Sequence, residues 1–274
     1  MSYNIEKRFL RVYNPLRDQF LLSIKGINEA NLPSPFLPHS GLKYEKSDLR
    51  VAFIGMDSSP DPRLAEFRLA KKSLFGWSDI ISTDVPEEAP EFLDYRHVFW
   101  NFILKFLANL HGVDESKLRN SEYANEKVIN DIWQSFAYGN VNSVLVSYPG
   151  LEKGKGVSLE NWSKIKTASK IFDKADYFLS VFQPHVMIIL HYNEQNFNWD
   201  WLPKDFESAY VDSLANDKID YYYLSKSNTH VFWTYHPRSF AYQQIDANEI
   251  VRSILETLKN KNKCSSLSLS GLKK

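Results

Sequence analysis

The positions Glu6, Phe9, Leu10, Tyr13, Leu16, Phe20, Leu21 and Ile24 recur at three- and four-residue intervals, the spacing of an amphipathic helix. The helix is predicted to end near Gly26, with a break at Pro15. Residues 30–41, ANLPSPFLPHSG, hold three prolines and read as a connection or extended arm. The apolar run Leu49-Arg-Val-Ala-Phe-Ile54 predicts a buried strand stopping at Gly55, of the kind found in parallel sheets. A turn, GMDSSPDPR, and a helical stretch from Arg63 to Leu74 follow. Residues 84–97 are acidic and hold prolines, hence a loop. Residues 98–111 form a strongly apolar helix with Phe99, Phe102, Phe106 and Leu110 on one face. A short polar helix is expected near 122–133. A second strand spans Phe136 to Asn140, and Val144 to Ser147 is a weaker continuation.

The loop 149–157, PGLEKGKGV, is rich in Gly and Lys but lacks the spacing of a phosphate-cradling loop. Residues 160–182 are predicted as one helix leading to Pro184, and His185 to Leu190 as a third strand. Asn193 to Trp201 is irregular and aromatic. Tyr221 to Leu224 and Thr229 to Tyr235 read as strands, helix 246–259 closes the domain, and the tail has the composition of a disordered segment. No internal repeat is visible. Strands alternating with helices predict a three-layer α/β/α fold with a mostly parallel central sheet. The expected organisation is an N-terminal helix and arm over 1–42, an α/β domain over 43–259 and a disordered tail over 260–274. Ligands of such sheets bind outside the carboxyl ends of the strands, so the loops just after each strand carry the information.

Composition narrows the chemistry. The 274 residues hold 33 Lys plus Arg against 33 Asp plus Glu, so the chain carries no bulk field to wrap nucleic acid, although a local basic patch is compatible with it. The single cysteine, Cys264, excludes disulfides within the chain, a Cys-rich zinc site and a four-cysteine iron–sulfur cluster. No cofactor or metal is expected, and no Gly-x-Gly-x-x-Gly follows a strand. The apolar runs fall far short of the roughly 18 residues that cross a bilayer, and the first residues lack a signal-like apolar region. Both point to the cytoplasm and to no membrane partner. The oligomeric state stays open, with a monomer as the expectation.

Catalysis then falls to carboxylates, imidazoles or hydroxyls, and three strand ends carry them: Asp57 after the first strand, Asn140 at the end of the second, His236 after the last. Each has a plain alternative. Asp57 suits a turn or helix cap, Asn140 beside Gly139 suits a turn, and a single histidine is more often structural. Pro237 biases the backbone of His236 to extended geometry. It is their shared place in the topology that marks them out.

The motifs Gly55-Met56-Asp57 and His236-Pro237-Arg238-Ser239, with Phe136-Ala-Tyr-Gly-Asn140 and Gln183-Pro184-His185-Val186-Met187-Ile188-Ile189-Leu190 between them, resemble the uracil-DNA glycosylase superfamily over roughly residues 49–242. That resemblance implies excision of a flipped uracil or related base from DNA. In it Asp57 stabilises the oxocarbenium-like sugar and orients water, and His236 donates a hydrogen bond to the departing base. Asn140 or Asn193 reads the base edge, and Phe75 or Phe67 stacks on it. Phe240 matches the apolar wedge that holds the duplex open, with an ordinary core hydrophobe as the equal alternative. Ser58, Ser59, Arg238 and Ser239 are matched to phosphate contacts, joined by the cluster Arg63, Arg68, Lys71 and Lys72, which reads equally as a solvated face.

Two positions depart from the family pattern: Ser58 stands where proline usually follows the aspartate, and Arg238 replaces the serine of His-Pro-Ser. Two rival readings stand beside this one. The first is a non-catalytic module binding nucleobases or DNA in the same place. The second is a serine esterase built on Gly55-Met56-Asp57-Ser58, disfavoured because Met56 intervenes and no acidic residue immediately precedes His236.

Overall fold

The computed structural model describes residues 3–27, 35, 37–57, 98–119, 123, 126–143, 158–191 and 199–264. Helix α1 spans Tyr3–Ser23 and runs through Pro15 without ending. An interior proline costs about 3 kcal/mol. Four large side chains of this helix, Ile5, Phe9, Tyr13 and Phe20, are buried, each contributing about 1.5–3 kcal/mol, so packing outweighs the missing hydrogen bond. Gly26, at φ +90°, lies just past the helix end, in a conformation an L side chain resists.

Among the described residues seven strands form one sheet. In chain order they are β1 (His39–Ser40), β2 (Val51–Asp57), β3 (Phe136–Asn142), β4 (Val186–Leu190), β5 (Tyr210–Leu214), β6 (Ile219–Leu224) and β7 (Thr229–Thr234). Their spatial order is β1-β3-β2-β4-β7-β6-β5. The four central strands β3, β2, β4 and β7 are parallel, while β1 and the β5–β6 pair add antiparallel edges. The proline-containing arm therefore supplies an edge strand. The first strand of the parallel set runs on through Gly55 to Asp57 instead of stopping at the glycine.

Period-two alternation assigns the two faces. Ala52, Ile54, Ala137, Met187, Ile189 and Val231 pack with α1, α5 (Leu159–Ser169) and α6 (Ala175–Phe182). Val51, Phe53, Phe136, Ile188 and Phe232 pack with α2 (Val98–His111), α3 (Glu115–Leu118), α4 (Lys127–Trp133) and α7 (Ala247–Cys264). Helices thus cover both faces, giving three layers. Among the described residues no helix is long and apolar enough to cross a membrane.

Further boundaries differ from the sequence expectation, the first being β3, which runs past Asn140 to Asn142. The stretch 160–182 is not one helix: a 3₁₀ turn at Lys170–Phe172 and Asp173 separate α5 from α6. Asp173 turns inward and its Oδ1 accepts from the Ser143 amide at 2.8 Å, which a continuous helix would forbid. At the other end of the chain α7 continues to Cys264, so residues 260–264 are helical and not part of a tail. The predicted helix 63–74, the strand 144–147 and the loop 149–157 lie outside the described residues.

Candidate functional site

All four parallel strands finish at the same edge of the sheet. Asp57 pairs in register with Asn142, and Gly55 with Asn140. Ile54 stands level with Ile189, which stands level with Trp233. Three residues further along the chain come Asp57, the last residue of β2, and His236, two residues past the end of β7. Two strand spacings, about 10 Å, separate β2 from β7 across β4. The acid near the start of the chain and the imidazole near its finish reach one edge because β2 and β7 run parallel on either side of β4.

Three sequence-predicted positions converge on a residue that the sequence marked only as core. A Cβ placed on Gly55 would lie 2.6 Å from Asn140 Oδ1 and 3.3 Å from Phe99 Cε2. The Asn140 amide therefore lies over the bare glycine, beside the Phe99 ring. Phe99 in turn lies nearly parallel to the His236 imidazole, with ring centroids 6.1 Å apart and an interplanar angle of 16°. Phe99 is buried at the start of α2, while Asn140 and His236 are half-buried, so polar groups sit at the rim of an apolar floor. A glycine inside a strand signals close approach of another group, and that sign was readable at Gly55. The contact with Phe99 had no sequence signal, because it joins residues far apart in the chain.

The His236 backbone, extended at φ −63°, ψ 134°, caps the 3₁₀ turn Pro237–Ser239. Its Nδ1 accepts from the Arg238 amide at 3.1 Å. A backbone N–H only donates, so Nδ1 carries the lone pair and the neutral ring carries its proton on Nε2. The turn thus presents an N–H donor at the strand edge. Arg238 is exposed and Ser239 is half-buried, both beside that donor.

Phe240 is corrected from wedge to core. It is 7% exposed and meets Phe102 edge-on at 5.7 Å, so inserting it elsewhere would empty a packed site. The aromatic in the open is Tyr242, two residues on, 86% exposed. Ser58, Ser59, Arg63, Phe67, Arg68, Lys71, Lys72, Phe75 and Asn193, together with the side chain of Asp57, lie outside the described residues.

A methyl group at Gly55, as in Gly55→Ala, collides first with the Asn140 amide, the movable end of a side chain. The fold should survive, with a thermal midpoint within a few degrees of wild type, while Asn140 is displaced and any ligand contact through its amide disappears. Thermal melts of the variant beside wild type check the first expectation. Asp173 anchors the backbone just past β3, and its burial, opposed by the Ser143 hydrogen bonds and by Lys170 and Lys174, pushes its pKa up to about 6. Its ordinary value is near 4, so between pH 4 and 6 the folded chain holds a proton that the unfolded chain has released. This group's contribution to stability therefore falls as pH rises through that window, by about 3 kcal/mol. Asp173→Asn, which keeps an acceptor for Ser143, should flatten that part of the pH profile of the urea midpoint and be at least as stable as wild type at pH 7.

The class defined by fold and site is thus a three-layer α/β protein with a polar cluster at the carboxyl edge of its parallel strands. Compared with protein-family models and with curated proteins, the chain matches none of them.

Proposed function

We propose that this chain is a DNA glycosylase-like hydrolase that cleaves the N-glycosidic bond of a flipped uracil or related base. The observation that carries this reading is the convergence of Gly55, Asn140 and His236 on Phe99, at the edge of the sheet where β2 ends at Asp57. Flipping the nucleotide costs a few kcal/mol and brings base and sugar into reach of that edge. The Asn140 amide, able both to donate and to accept, reads the edge of the base. His236 donates its Nε2 proton in a hydrogen bond to the carbonyl oxygen of the base, where negative charge builds as the bond to the sugar breaks. The bonding pair leaves on the base, the water oxygen bonds the sugar carbon, and the water proton passes to Asp57. Phe99 holds the imidazole plane and excludes water behind it.

Around this centre, Arg238 and Ser239 meet phosphates, with Ser58 and Ser59 assigned the same role on the strength of the resemblance alone. Tyr242 takes the place that the resemblance gives Phe240, as the side chain presented to the gap in the duplex, because it is exposed just past the turn that His236 begins. The direct test is incubation with uracil-containing single- and double-stranded DNA, scoring alkali-labile abasic sites. Strand breaks above a uracil-free control support the reading. Their absence, where an authentic glycosylase produces them on the same substrate, overturns it.

A further inference from the structure

On the opposite face of the sheet from Phe99 lies a cavity of about 820 Å³, floored by aromatic rings. Trp233 and Tyr222 project from β7 and β6, Trp199 meets Trp233 at 5.4 Å, and Tyr210 meets Tyr222 at 5.5 Å. Trp199 and Tyr210 are about half exposed, at 53% and 50%. A hollow of this size takes several residues of peptide or a drug-sized molecule. A second cavity of about 410 Å³ continues from it past Asp176 and Pro203.

Charge decides between occupants. Among the described residues, the walls of the larger cavity carry four carboxylates, Asp176, Asp200, Glu207 and Asp220, against two ammonium groups, Lys174 and Lys204. One of those cations is already engaged, since Lys174 donates to the Asp200 carbonyl oxygen at 2.9 Å. The Tyr210 hydroxyl titrates above the ordinary phenol value, through desolvation first and then through the negative charge of Asp220, Asp212 and Asp217. A nucleic-acid backbone would be repelled here. A guanidinium is attracted, stacks on indole and phenol faces and bonds carboxylates in pairs.

We propose that this trough binds an arginine-bearing, extended peptide segment of a partner protein. Tyr210 and Trp199 stack the guanidinium groups, and Glu207 and Asp220 pair with them. β5 is the outermost strand of the sheet, so the segment lies alongside an edge whose first residues, Tyr210, Val211 and Asp212, are all exposed.

The probe is a nine-residue peptide of alternating arginine and glycine, titrated into the full chain while tryptophan fluorescence is followed. Alternating glutamate and glycine and a single-stranded oligothymidylate serve as comparisons. Saturable binding of the arginine peptide is expected, weakened at least tenfold by Tyr210→Ala or by Glu207→Gln with Asp220→Asn, and weakened similarly between 50 and 500 mM salt. All substituted positions are at least partly exposed, so thermal midpoints should stay near wild type. Equal binding of the glutamate peptide, displacement by oligothymidylate, or affinity unchanged in the variants would each overturn the proposal. Base release from uracil-containing DNA by Tyr210→Ala should match wild type, which keeps this site separate from the one at His236.

Discussion

Replacing His236 by alanine is expected to lower base release about 10²–10⁴-fold while changing DNA affinity less than about threefold. The asymmetry follows from where the imidazole acts. In the proposed mechanism its Nε2–H meets a carbonyl oxygen that becomes strongly basic only as the glycosidic bond opens, so the hydrogen bond strengthens in the transition state and contributes little to the ground-state complex. Asp57→Asn should cost a comparable factor, because an amide can orient water but neither takes its proton nor stabilises a cationic sugar. The double variant should lie close to the worse single one, as groups acting on one transition state are not additive. Single-turnover rates with DNA affinity measured in parallel test all three. The fold should persist, since the stacking of the imidazole on Phe99 is worth about 1 kcal/mol. Equal turnover by His236→Ala and wild type would leave the residue as the cap of its turn and nothing more.

Gly41→Ala is expected to destabilise the chain by about 3 kcal/mol or more, well beyond the effect of Gly55→Ala. Residues 41–43 wrap around Gln134: its carbonyl oxygen accepts from the Lys43 amide at 3.0 Å, and its side chain accepts from the Leu42 amide at 2.8 Å. A Cβ on Gly41 would penetrate the backbone of Gln134, including its carbonyl oxygen and carbon. Nothing flexible stands there to give way, in contrast to Gly55, where an amide can swing aside. The alanine must push the arm off the turn, and with it the edge strand β1 that the arm forms on β3. The thermal midpoint should fall by about 6–12 °C for a chain of this size. Leu42→Ala, at a half-exposed neighbour, should stay within about 0.5–1 kcal/mol of wild type and so control for the locality of the effect.

How far the site was legible varies residue by residue. Asn140 and His236 stood out because they end apolar runs, and a parallel sheet carries such ends to one edge. Phe240 carried two readings of equal weight, and burial chose between them: its ring packs against Phe102, whereas Tyr242 stays almost fully in solvent. Phe99 read as one of three core aromatics on a helix face, and it is core, but it lies at the end of α2 that reaches the carboxyl edge. Strand β5 carries no strand signal because YVDSL is polar and half-exposed, the pattern of an edge strand that needs no apolar face. The Asn216-Asp217 pair that turns β5 into β6 was on view, with both residues at positive φ.

What the order of residues determined unaided is the set of parallel strands and the longest of their covering helices, because burial on both faces demands long apolar runs and one-sided helices whose periodicity is local. What only the tertiary structure decided is which distant side chains touch. The imidazole on the Phe99 ring, the amide over Gly55 and the inward turn of Asp173 each depend on the register between strands and the depth at which helices seat, and neither quantity is written in any local stretch of sequence.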